Sequence, residues 1–147
     1  MFELNLPKAA IKLGNQKGKP SIWDAVRKKW LQLTPEEYVR QYFLHYLTND
    51  LSYPASLISI ERSLEVIRLA KRFDIVVYNS DGKPHILVEC KAPQVKISQE
   101  TLEQASAYNL TLKAPYLAVT NGLEHFYFSI DFVKNSFSRL EALPNFG

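Results

Sequence analysis

Cysteine is nearly absent from this chain of 147 residues: Cys90 stands alone. A single thiol closes no intramolecular disulfide and builds no Cys-rich zinc site, which fits a reducing compartment. The histidines are few and scattered, His45, His85 and His125, and form no HExxH or other close ligand pair, so zinc is not suggested. Long apolar runs are also missing. Nothing approaches the roughly 20 residues of a membrane helix, and the first 20 residues lack the apolar stretch of a signal peptide. The expectation is a cytoplasmic protein with no membrane association. Only 5 glycines are present and no stretch repeats, which excludes collagen-like and low-complexity classes. What is there is 46% hydrophobic and 12% aromatic, enough for one folded domain that buries roughly two-thirds of its unfolded surface.

The formal net charge is +3, and it is unevenly spread. Residues 1–34 carry Lys8, Lys12, Lys17, Lys19, Arg27, Lys28 and Lys29 against Glu3 and Asp24, whereas residues 35–147 are net negative. A local positive segment of this kind can neutralise phosphates with release of counterions, which makes Lys17, Lys19, Arg27, Lys28 and Lys29 nucleic-acid-binding candidates. An ordinary solvated terminal surface has the same composition.

Residues Phe2–Leu6 read as a short extended segment, followed by a Lys/Gly-rich turn region, and Ser21–Leu33 as a wrap or small hairpin. A helix is then announced: Thr34 as cap, Pro35 at the first helical position and Glu37 at the capping-box position. Val39, Tyr42, Phe43, Tyr46 and Leu47 recur at helical spacing and form its apolar face, and Tyr53–Pro54 ends it. Leu57–Ile60 suggests a strand, and Leu64–Ile67 its continuation or a second arm. Two β-rich runs, 72–78 and 85–91, flank an Asp81-Gly82 turn and read as an antiparallel hairpin. Ser98 caps a second helix to about residue 112 through Leu102, Ala105, Tyr108, Asn109 and Leu112. A strand at 116–120 ends at Asn121-Gly122, and 125–130 has strand character. The connection from Lys91 to Tyr116 is long enough for a crossover, so strands 85–91 and 116–120 are expected to be parallel neighbours. The fold class expected is α/β, a mixed sheet flanked by helices.

Alternation places Asp74 with Val76 and Tyr78 on one face of the first hairpin strand, and Leu87 with Glu89 and Lys91 on one face of the second. Asp74 and Glu89 therefore converge, and charge on an otherwise apolar strand needs compensation. Two carboxylates with a main-chain carbonyl form a hard oxygen site suited to Mg²⁺, and Lys91 can orient water or stabilise phosphate charge. A salt bridge at a sheet edge would use the same residues.

Asp74, fourteen intervening residues, then Glu89-Cys90-Lys91, with Thr34-Pro35-Glu36-Glu37 before the first helix and Gln104-Ala105-Ser106-Ala107-Tyr108 after the second strand, resembles the N-terminal nuclease domain of type I restriction enzyme R subunits within the PD-(D/E)xK nucleases. The resemblance runs from about Thr34 to Ile130. It implies a restriction-endonuclease-like fold, hydrolysis of DNA phosphodiesters with Mg²⁺ (Mn²⁺ as substitute), and Asp74, Glu89 and Lys91 as catalytic residues. The metal would be held by Asp74, Glu89, the Cys90 backbone carbonyl and Glu37, with Glu36 as the alternative to Glu37. Gln104 and Tyr108 match a QxxxY element and become auxiliary residues that approach DNA or brace the site. On this view residues 1–33 are a basic extension packed on the core of a nuclease-like domain, 34–147. Partners implied are DNA and a second copy of the chain or separate restriction subunits. Phe73 departs from the pattern by replacing the proline before the aspartate. No Walker A motif is present, so neither ATP use nor DNA translocation is assigned to this chain.

The alternative reading is a catalytically inactive DNA-binding or assembly module of a restriction or defence system. Single residues carry alternatives too. Glu37 can serve as a helix cap, Tyr108 as core and Gln104 as a solvated helix position. Cys90 points away from Glu89 and Lys91 and reads as a small buried hydrophobe. The run His125-Phe126-Tyr127-Phe128 fits base stacking, strand packing or an oligomer contact.

Overall fold

The computed structural model describes residues 3–64 and 71–147. Three short strands open the chain, β1 (Leu13–Gln16), β2 (Lys19–Asp24) and β3 (Lys29–Gln32), and form an antiparallel sheet in that order. The segment read as a wrap or hairpin is therefore a small sheet. Its first turn is Lys17-Gly18, both at positive φ (55° and 79°), the backbone that a two-residue hairpin loop requires. Residues 3–6 form no strand, but Asn5 N–H donates to the Gly122 carbonyl at 2.8 Å.

Helix α1 (Pro35–His45) starts where the capping signals place it, with Thr34 Oγ accepting from Glu37 N–H at 3.1 Å. It continues into a wider turn over Tyr46–Asp50, closed by Leu51 N–H on the Tyr46 carbonyl. Val39, Phe43, Leu44 and Leu47 are buried, and Tyr42 of the expected apolar face is only partly so.

Six strands build the main sheet in sequence order: β4 (Ile58–Leu64), β5 (Lys71–Tyr78), β6 (Pro84–Cys90), β7 (Tyr116–Thr120), β8 (His125–Asp131) and β9 (Ser136–Leu140). All pairs are antiparallel except β6–β7, which is parallel and spanned by α2 (Gln99–Leu112). The hairpin, the crossover and the mixed sheet flanked by helices are thus as the sequence implies. Residues 65–67 of the second arm suggested there lie outside the described residues. Strand β9 was not anticipated; exposed along most of its length, it lacks the apolar alternation that marks a strand.

The sheet separates two cores. Ile75, Val77, Ile86, Val88, Cys90 and Ala118 face α1, and Val76, Leu87, Leu117 and Val119 face α2. Helix α1 also meets β2 on its far side, where Ile22 is fully buried, so it lies between the two sheets. Gly122, at φ 86°, lets Leu4 and Val39 close on the β7–β8 turn; a Cβ there would stand 2.8 Å from Leu4. Among the described residues no helix is long and apolar enough to cross a membrane.

Candidate active site

The register of β5 and β6 pairs Ile75 with Val88 at the end of their ladder, and Asp74 and Glu89 are the next residues of the two strands. Their two side chains lie close enough for the charge on each to act on the other. Asp74 Oδ2 also accepts from the Cys90 N–H at 2.7 Å. Lys91 follows β6, its N–H bonded to the Thr120 carbonyl at 2.8 Å, and its Nζ lies 3.6 Å from Glu89 Oε1. Asp74, Glu89 and Lys91 thus meet at one end of the hairpin.

Burial works against two charges here. It raises the pKa of Glu89 to about 8, with Asp74 adding repulsion and Lys91 opposing both. Burial raises Asp74 as well, against the Cys90 N–H and the Arg40 guanidinium. Without a further cation the pair therefore holds a proton near neutral pH. That is the electrostatic condition in which a divalent cation is welcome, since it replaces the proton and relieves the repulsion.

Helix α2 closes the other side. Ser98 caps it in a reciprocal arrangement with Thr101, and the i,i+4 pair Gln104 and Tyr108 turns toward β6. Together with Glu89, Lys91, Thr101 and Ala105 they line a cavity of about 60 Å³, room for several water molecules. Tyr108 also meets Phe73 edge-on at 6.4 Å, so its ring is both packing and pocket wall.

Arg40 is the residue that the sequence did not disclose. Its side chain is 5% exposed, and its guanidinium lies 3.5 Å from Asp74, 3.5 Å from Glu37 and 3.8 Å from Glu36. Gln41, also buried, donates to Glu37 at 3.1 Å. A polar chain therefore runs along α1 from Gln41 through Glu37 and Arg40 to Asp74. The sequence signal for it was an arginine three and four residues beyond an acidic pair, inside an otherwise apolar helix face.

Glu37 is tied into α1 itself. Its carboxylate is engaged by Arg40 and Gln41, and among the described residues no three His, Cys, Asp or Glu side chains gather as a metal site would. Glu36 points to solvent, with its side chain 48% exposed. Cys90 is buried in the α1-side core, where burial lifts its thiol well above the usual range, so it is inert as a nucleophile.

The basic residues of the first segment divide. Lys17 and Lys19 are exposed beside the β1–β2 turn, and Lys28 and Lys29 at the β2–β3 turn. These ends are separated by the length of β2, about 17 Å. Arg27 is not a free phosphate contact, because its Nε holds Asp24 Oδ2 at 2.7 Å. In the aromatic run, Tyr127 is core and His125 is fixed between Thr120 Oγ and the Asn5 carbonyl, both at 2.7 Å. These two therefore serve packing.

Residues 35–144 match the family of the type I restriction enzyme R protein N terminus. The chain belongs to that family. Its fold is also similar to a fragment assigned to the HsdR subunit of a type I restriction enzyme from Vibrio vulnificus, with a TM-score of 0.57 and 20% identity over 77% of this chain. The match spans 24% of that protein's chain, about a quarter of it. No curated protein matches the sequence.

Proposed function

We propose that this R-protein N-terminal domain hydrolyses DNA phosphodiester bonds at a PD-(D/E)xK-type site formed by Asp74, Glu89 and Lys91. The observation that carries the reading is the convergence of Asp74 and Glu89 beside Lys91, with Asp74 held by the Cys90 N–H and Lys91 Nζ 3.6 Å from Glu89, at a cavity that Gln104 and Tyr108 also line. Asp74, Glu89 and the Cys90 carbonyl are the hard oxygen donors that would hold Mg²⁺ or Mn²⁺. When bound, such an ion supplies positive charge to a phosphoryl oxygen and acidifies water. Lys91 places its ammonium where an attacking water and the phosphate charge must be held. Asp74 is fixed for this work by the Cys90 N–H and Arg40, and Gln104 and Tyr108 border the approach of the DNA strand. With no Walker A motif in the sequence, translocation is assigned to other parts of a restriction assembly, and DNA and those subunits are the partners.

The test is single-turnover cleavage of linear, nicked, branched and single-stranded DNA in Mg²⁺, Mn²⁺ and chelator. Asp74→Asn and Lys91→Met should each abolish metal-dependent cleavage while the protein still binds DNA. Full activity in either variant would overturn the assignment.

A second reading keeps the domain as a DNA-binding or assembly module without chemistry. The lack of a third acidic ligand among the described residues favours it, as does the neutralisation of Asp74 by Arg40. Family membership fits this reading without further assumption, whereas the first needs the ion as well. Wild-type protein that binds DNA but cleaves nothing in any metal, even with partner subunits added, would decide for it.

A further inference from the structure

Trp23 and Trp30 are direct cross-strand partners in the small sheet, with ring centroids 5.4 Å apart at 68°. Strand alternation puts them on the face opposite Ile22 and Asp24, which point to α1. The benzo ring of Trp30 reaches across β2 to β1, where a Cβ on Gly14 would stand 2.8 Å from its Cη2. Glycine at that place lets the indole lie over the sheet. Both indoles are half-buried and belong to neither core.

The surroundings are basic. Lys12 Nζ lies 5.1 Å from the Trp23 ring and 5.4 Å from the Trp30 ring. Lys19 shares the face by alternation, and Lys17 and Lys28 are exposed at its two turns. The one carboxylate in the small sheet, Asp24, is turned away, buried and bound to Arg27. An aromatic platform ringed by unopposed ammonium groups matches a strand that offers a base and phosphates together.

We infer that this face binds unpaired DNA, with a base stacked on Trp30 and the flanking phosphates held by Lys12, Lys17 and Lys19. Lys12 then exchanges the indole face for a phosphate, and the base takes its place. The inference rests on the reading of the chain as a DNA module, and it needs neither the metal nor cleavage. It gives that module a preference for frayed, gapped or single-stranded substrates.

The chain has only 2 tryptophans, both in this site, so intrinsic fluorescence reports it directly. The full chain is titrated in chelator at low salt with a thymidine oligonucleotide and with an abasic oligonucleotide of the same phosphate count. Saturable quenching by the thymidine strand is expected, with the abasic strand about ten-fold weaker, the loss of one stacked base. For variants, anisotropy of a labelled thymidine strand serves as the readout. Trp30→Leu should lose about ten-fold in affinity and Trp30→Phe less, since a ring is kept. Lys12→Gln, at an exposed position, should weaken binding and flatten its salt dependence. Thermal melts check that each variant folds.

Equal affinity for the thymidine and abasic strands would overturn the inference, as would wild-type affinity in Trp30→Leu. Tighter binding of duplex without quenching would assign the lysines to backbone contact alone and also overturn it. Cleavage without quenching removes the platform and leaves the proposed function standing. Quenching without cleavage in any metal does the reverse.

Discussion

The two helices lie on opposite faces of one sheet and are built differently. Helix α1 is covered on both sides and buries Glu37, Arg40 and Gln41 along with its apolar residues. Helix α2 buries only Ala105 and Asn109 and leaves Leu110 63% exposed. The first holds a carboxylate in place through a buried cation, where movement is costly. The second borders the pocket beside Glu89 and Lys91. On the proposed function, the first is a rigid support for Asp74 and the second an accessible wall for the DNA strand.

The sharpest way to break this comparison is to truncate each helix. Phe43→Ala in α1 should cost about 3–5 kcal/mol through the cavity it leaves, whereas Leu110→Ala in α2 should stay within about 0.5 kcal/mol. Chemical denaturation measures both, and equal losses would show that the coverage does not matter.

Arg40→Met tests the buried support. Removing one member of a buried ion pair costs about 3–5 kcal/mol, and without the guanidinium Asp74 should titrate still higher. Gln104→Ala on α2 should leave stability unchanged within about 0.5 kcal/mol. Carbon-detected titration of the two carboxyl groups, with denaturant melts, separates these outcomes.

Glu89 supplies a pH test. In the unfolded chain it ionises near 4.5, and in the folded protein at about 8. Between those values the folded state holds the extra proton, so the contribution of Glu89 is complete below pH 4.5 and is lost as pH rises through 8. Glu89→Gln should remove that decline and be about 1–3 kcal/mol more stable than wild type above pH 8. Parallel pH profiles of wild type and variant would sink the assignment.

Metal affinity sharpens the same point. Binding at Asp74 and Glu89 must displace the proton that burial favours on Glu89, so Mn²⁺ affinity should rise by up to about ten-fold per pH unit until pH 8 and then level. Calorimetry in buffers of different ionisation enthalpy counts the proton released; a flat profile places the ion elsewhere.

The smallest effect concerns the small sheet. Lys28→Gln and Lys29→Gln, at the far end of β2 from Lys17 and Lys19, should each lower the salt dependence of DNA binding by less than about one phosphate equivalent. Binding measured over a salt series checks this.

Much of the hairpin and α2 was legible, and for local reasons. An Asp-Gly turn between β-rich runs marks the hairpin, and the parity of Glu89 and Lys91 follows from a two-residue repeat; the shift of register at Val77–Tyr78, which sets Ile75 against Val88 and so brings Asp74 toward Glu89, has no such local signal. Gln104 and Tyr108 are neighbours because four residues make about one helical turn. Strand β9 was hidden because both of its faces meet solvent along most of its length, leaving no apolar pattern to read.

The site separates along the same line. Composition and spacing by themselves determined that Glu89 and Lys91 share a strand face, that Cys90 points the other way and that Gln104 and Tyr108 share a helix face, since each depends on contacts within a few residues. Only the tertiary structure decided that Arg40 neutralises Asp74, that Glu37 is engaged by Arg40 and Gln41, that Arg27 closes on Asp24, and that the tryptophans share one face. Those outcomes depend on how the small sheet docks on α1 and α1 on the large sheet. Such long-range contacts are fixed by burial of matching surfaces, and no short period in the sequence records them.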